Sequence, residues 1–104
     1  MRAIDEKQAA SLSASLVQEL ASLVMSSVDN FTFELISTTF FEKGSVSKGY
    51  PFIEVLWFAR SQEIQDACAQ FITSEVKKLL PGEDVAVVFT VLNPSAYYEN
   101  SKSF

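Results

Sequence analysis

The sequence predicts a single α+β domain of two layers, with two helices covering one face of a three- or four-stranded sheet. Three observations predict it. Helical and strand periodicities follow one another in the order helix, strand, loop, strand, helix, strand. The last three of these form a complete βαβ unit, whose strands must run parallel. The first half looks like the same unit with its opening strand cut to a stub, because only "MRAI" precedes the first helix. One domain, residues 1–104, accommodates all of it, and 48% hydrophobic residues suffice for a packed core.

The first helix is expected over residues 5–28. Asp5 can cap it, and Gln8 three positions on completes a capping box. Leu12, Leu16, Leu20, Leu23 and Val24 recur on one side, and Asp29-Asn30 marks the end. "FTFELIST", 31–38, alternates as a strand, with Phe31, Phe33 and Leu35 on one side and Thr32, Glu34 and Ile36 on the other. "FFEKGSVSKGY" reads as a long polar loop with Gly44 and Gly49 as its flexible points.

"PFIEVLWFA", 51–59, is the next strand, with Pro51 at its first residue. Ser61 caps a helix over 62–80, with Ile64, Cys68, Phe71, Ile72 and Leu79 as its apolar stripe, Lys77 and Lys78 in the last turn and Pro81-Gly82 as the stop. "DVAVVFTVL", 84–92, is apolar almost throughout and predicts a strand covered on both faces. The 51–59 strand is also apolar on both sides: Phe52, Leu56 and Phe58 on one, Ile53, Val55 and Trp57 on the other. Two helices cover one face only, so an oligomer whose sheets face each other is expected.

Composition excludes several chemistries. The chain has no histidine and one cysteine, which removes Ser-His and Cys-His nucleophile systems, His/Cys zinc sites and an internal disulfide. Cys68 reads as core packing. The net charge of −5 and the lack of a basic stripe argue against a nucleic-acid partner. No apolar run is long enough to span a membrane and no signal peptide is visible, so a cytoplasmic protein is expected. Nothing in the sequence calls for a metal or a cofactor.

Two carboxylates, Glu34 and Glu54, interrupt apolar strands. A carboxylate enclosed by apolar groups is shifted toward the range of a neutral-pH acid or base, so both are candidate catalytic groups. Solvation at a rim, or pairing with Arg2, Lys43, Lys48 or Arg60, is the competing structural role. The tail "NPSAYYENSKSF", 93–104, is unusually aromatic for a chain end, with Tyr97, Tyr98 and Phe104.

Element order, the loop between halves and this tail together resemble the tautomerase superfamily, in particular the macrophage migration inhibitory factor branch. "LNPSAYYENSKSF" follows that family's tail layout, with Asn93, Asn100 and Phe104 at matching places and Tyr97 and Tyr98 near its aromatic. A bacterial branch of that superfamily is the better home. The resemblance implies a mixed four-stranded sheet with two helices on one face, a homotrimer around a central channel, and keto–enol conversion of a small keto acid. It implies as base an N-terminal proline, whose amine titrates low enough in an apolar pocket to be free at neutral pH. Trp57, Tyr97, Tyr98, Phe104 and Asn93 are then the pocket residues, with Glu54 polarising the amine or the substrate.

The departure falls on the decisive residue: position 2 is Arg2, and "SSVDNFT" lacks the family's pocket lysine. A start several residues upstream, beginning with proline, would explain the missing strand and the missing base together. The competing reading is a non-catalytic trimer that binds a ligand or a protein. A third keeps catalysis and assigns it to Glu34 or Glu54.

Overall fold

A computed structural model describes residues 1–103. Helix α1 spans Glu6–Val24 and opens with the expected capping box. The Asp5 carboxylate accepts from the Gln8 N–H at 2.7 Å, and Gln8 Oε1 accepts from the Asp5 N–H at 3.0 Å. The helix stops earlier than its apolar pattern suggested. Met25 turns left-handed (φ 57°), and the Ser26 N–H closes back onto the Ala21 carbonyl at 2.9 Å, a Schellman-type end made without glycine. A 3-10 turn over Val28–Asn30 follows.

Residues 31–38 differ from expectation: they form no strand ladder. Phe31 and Phe33 do turn inward against the core, as the alternation required. What the segment lacks is a neighbour, because the stub that lies beside it, Met1–Arg2, is too short to pair along its length.

The expected polar loop is instead a hairpin, β1 (Phe40–Glu42) and β2 (Ser45–Ser47), with Phe41 opposite Val46. Lys43 (φ 51°) and Gly44 (φ 82°) form a two-residue turn with both central residues left-handed, the type I′ geometry that matches strand twist. Phe41 and Val46 are about 70% exposed (71% and 70%). Gly49 (φ +65°) ends the hairpin, and a Cβ there would stand 2.5 Å from the Phe40 ring. Gly49→Ala is therefore expected to cost at least about 1 kcal/mol, from the left-handed backbone alone, read as a lower urea midpoint. An unchanged midpoint would mean that the hairpin is not held against Gly49.

Strand β3 (Phe52–Phe58), helix α2 (Gln62–Leu79) and strand β4 (Ala86–Leu92) form the βαβ unit as expected. The strands pair in parallel from Phe52↔Ala86 to Phe58↔Leu92. Ser61 Oγ accepts from the Ile64 N–H at 3.2 Å and caps α2. Both helices pack on one face of this pair. Leu12, Leu16 and Leu20 of α1 meet Cys68, Ile72 and Val76 of α2 and Ile53 of β3, with Val55, Trp57, Val87 and Phe89 around them. Cys68 is the buried packing residue its position suggested, and burial pushes its thiol up from the ordinary value.

The expected four-stranded sheet is not formed among the described residues: β3 and β4 make a two-stranded parallel sheet. Beside β3, the stub contributes a single antiparallel bridge, Arg2↔Phe52. Among the described residues no layer covers the opposite face of β3 and β4: Leu56 is 60% exposed and Val88 40%. The tail adds a 3-10 turn (Pro94–Ala96) and a short hairpin, β5 (Tyr98–Glu99) with β6 (Lys102–Ser103). The radius of gyration is 15.0 Å. A compact domain of this length has about 13 Å, and the excess fits two hairpins standing off the helix–sheet body.

Candidate functional site

The polar groups of interest gather where the stub meets the sheet. The Met1 ammonium donates to the Glu34 carbonyl at 3.0 Å, and the Ile36 N–H donates to the Met1 carbonyl at 2.8 Å. Arg2 turns the other way: its N–H donates to the Phe52 carbonyl at 2.9 Å, and its carbonyl accepts from the Phe52 N–H at 3.1 Å. The stub thus joins residues 34–36 to β3. Arg2 lays its guanidinium 5.7 Å from the centre of the Phe52 ring.

Both sequence-predicted carboxylates act here. Burial and the Arg2 charge lower the Met1 amine from its ordinary value, while Glu34 and Glu54 pull it back up. Thr90 Oγ1 donates to Glu54 Oε2 at 3.1 Å. Glu34 and Glu54 are both exposed rather than enclosed by apolar groups. Met1, Glu6, Ser13, Phe33 and Glu34, without Glu54, line a shallow depression of about 220 Å³.

The predicted aromatic residues do not converge on this place. Alternation along β3 puts Trp57 on the helix side, opposite to Glu54, and its ring packs on Phe89 with centroids 4.6 Å apart. The Trp57 Nε1–H is buried and has no acceptor among the described residues, an arrangement that costs about 1–3 kcal/mol. Arg60 stands 5.9 Å from the Trp57 ring centre, and its Nη1 donates to the Phe58 carbonyl at 2.6 Å. Tyr97 meets the Phe58 ring edge-on at 5.4 Å, so it belongs to the end of the open face. Tyr98 is 65% exposed in the tail hairpin. Asn93 holds the tail turn, its Oδ1 accepting from the Ser95 N–H at 3.0 Å and the Ser95 hydroxyl at 2.8 Å. Phe104 lies outside the described residues.

Arg2, Thr90 and Arg60 were not singled out as a group by sequence reasoning. Thr90 did leave a signal, as the only hydroxyl in an otherwise apolar strand. Among the described residues, no cluster of acidic or thiol side chains could hold a metal ion. No helix among the described residues is long and apolar enough to cross a membrane.

Fold and site together define a small α+β protein: a parallel βαβ unit backed by a second helix, with a charged junction at the edge of an open sheet face. The particular family is shown by comparison. The family described as Domain of unknown function (DUF1904) matches residues 1–103, and the chain belongs to it. A crystal structure of a DUF1904 domain from Sebaldella termitidis is similar at 37% identity and a TM-score of 0.94, covering 99% of this chain and 94% of that one. A protein of unknown function from Vibrio cholerae is similar at 42% identity and a TM-score of 0.89, covering 99% and 83%. No protein of curated function matches the chain.

Proposed function

We propose that this protein is a tautomerase-type enzyme. It would move a proton between the α-carbon and the oxygen of a small keto or enol acid, using the amine of a proline upstream of Met1 as base and working as a homotrimer. The observation that supports this most is the stub: two residues wedged between the 34–36 segment and β3, with Glu34 and Glu54 both acting on the amine. Burial already lowers an amine in this neighbourhood, the direction a base at neutral pH requires. The exposed apolar face around Leu56 and Val88 supports assembly with further copies.

The test is ketonisation of enol-phenylpyruvate by protein whose N-terminus has been read by mass. Turnover well above buffer is expected, together with a loss of at least about 100-fold when the proline is replaced by alanine. A rate equal to buffer's would end the enzyme reading.

A second reading is a non-catalytic homotrimer that binds a ligand or protein. It is favoured by the exposure of both glutamates and the shallowness of the depression that Glu34 lines. The same assay separates the two.

A further inference from the structure

Strand β4 leaves one edge of the sheet open. The Ala86 N–H donates to the Pro51 carbonyl, on the β3 side, at 3.0 Å. By alternation Val88 and Thr90 also turn their backbone groups to β3, while Val87, Phe89 and Val91 turn theirs the other way. Among the described residues no backbone group meets those three. The edge is seven residues long, carries no charge, proline or glycine, and runs without a bulge. Val91 upon it is 58% exposed. Edges that face solvent in a monomer are normally blunted by such residues, by a bulge or by a cover.

The β1–β2 hairpin is a matching piece. It too has two free edges. Its two-residue turn closes on the Glu42–Ser45 pair, so Phe41 and Val46 turn their N–H and C=O groups outward. The same two residues form its exposed apolar pair. The base of the arm is fixed: Lys48 Nζ donates to Glu83 Oε1 at 2.6 Å, which ties it to the loop before β4.

Surface area says what covers these parts. A folded monomer of 11.5 kDa exposes about 5,800 Å², whereas this chain exposes 7187 Å². One side of a standard interface buries about 800 Å². The surplus, about 1,400 Å², therefore suits a chain that makes nearly two such contacts. A symmetric pairing of β4 with β4 would use one patch per chain and leave the arm bare. The tail hairpin, with strands of two residues each, is too short to cover the edge.

We propose that the β1–β2 hairpin of one copy adds as an extra strand to the outer edge of β4 in the next. This rests on the homotrimer of the proposed function and names the contact that builds it; it does not rest on the proton-transfer chemistry. Arm and edge are different patches, so the contact runs head to tail. Each chain gives one arm and receives one, and three copies close a ring. The added strand supplies partners for Val87, Phe89 and Val91 and takes Phe41 and Val46 out of water.

Two variants and their mixture test this by sedimentation velocity at micromolar concentration. Val91→Pro removes an outward N–H from the edge, at a position where proline is tolerated because that N–H does not serve the ladder with β3. Phe41→Thr with Val46→Lys strips the arm and puts a charge on it. Each variant alone should be a monomer. Mixed in equal amounts they should form one species of twice the 11.5 kDa chain mass, because one intact arm meets one intact edge and the ring cannot close. That recovery also shows both variants to be folded. An arm variant that still assembles, or a Val91→Pro variant that does, overturns the proposal, as does a mixture that stays monomeric. A parent trimer left intact by both variants removes the arm contact alone. A parent that is monomeric throughout removes the trimer as well.

Discussion

A lysine in place of Leu56 is expected to yield a folded protein that no longer associates. Leu56 is 60% exposed on the face turned away from both helices. In a single chain its replacement disturbs no core contact, and surface substitutions of this kind change stability by about 0.5 kcal/mol or less. Within an assembly the outcome reverses. Phe52, Phe58, Val88 and Leu92 share this face, so a second copy seated on it would press lysine ammonium groups into an apolar contact. Charge buried there without a partner costs several kcal/mol, and loss of a central apolar residue adds to that. Sedimentation velocity of parent and variant at micromolar concentration would decide it. A trimer becoming a monomer of unchanged melting temperature at low concentration is the expected result. A variant with the parent's mass would show that this face is not the contact. A parent that is monomeric at every concentration would remove the trimer altogether.

Leu12→Ala should act in the opposite way, on the fold and not on association. Leu12 is 1% exposed and belongs to the apolar row that α1 lays on α2 and the sheet. Truncating a fully buried leucine removes its transfer energy and leaves a cavity, with a loss of about 3–5 kcal/mol. Domains of this size hold only about 5–15 kcal/mol in all, so the urea midpoint should fall by a large fraction of its value. A shift worth less than about 1 kcal/mol would mean that α1 can close over the gap, and that the two helices are less tightly coupled than their shared cluster implies.

What could be read in the sequence was what is encoded locally. Asp5 with Gln8, Ser61, and Pro81-Gly82 each fix a helix end through side chains or breakers within a few residues. Alternation alone grouped Ile53, Val55 and Trp57 on one side of β3, and the helices made that side the inward one. Met25 was missed because its left-handed turn is made without glycine, in a run that could have continued the helix. The β1–β2 hairpin was missed because Lys43-Gly44 is a weaker turn signal than Asn-Gly, though Gly44 sat at the right place. Residues 31–38 show the limit of pattern reading. Their alternation was real, yet a ladder depends on a neighbouring backbone, and the stub supplies two residues of it.

The candidate site divides in the same way. Glu34 and Glu54 stood out because a carboxylate within an apolar strand is conspicuous. That both act on the Met1 amine, and that Arg2 lies between that amine and Phe52, depended on chain segments far apart in sequence. Trp57 was grouped with a pocket, but strand parity puts it on the helix side, away from Glu54. Tyr97 lies with Phe58 at the end of the open face.

The indole of Trp57 gives the molecule its own optical reporter. It is the sole tryptophan, packed on Phe89 with Arg60 above it and with no acceptor for its N–H among the described residues. An excited indole in such a setting relaxes little, so emission from the folded chain should be blue-shifted and should move to the red only when the helices leave the sheet. Arg60 grips the Phe58 carbonyl at the same time. Events at the far end of β3 would therefore reach that light signal through a single guanidinium, and fluorescence can follow them without a label.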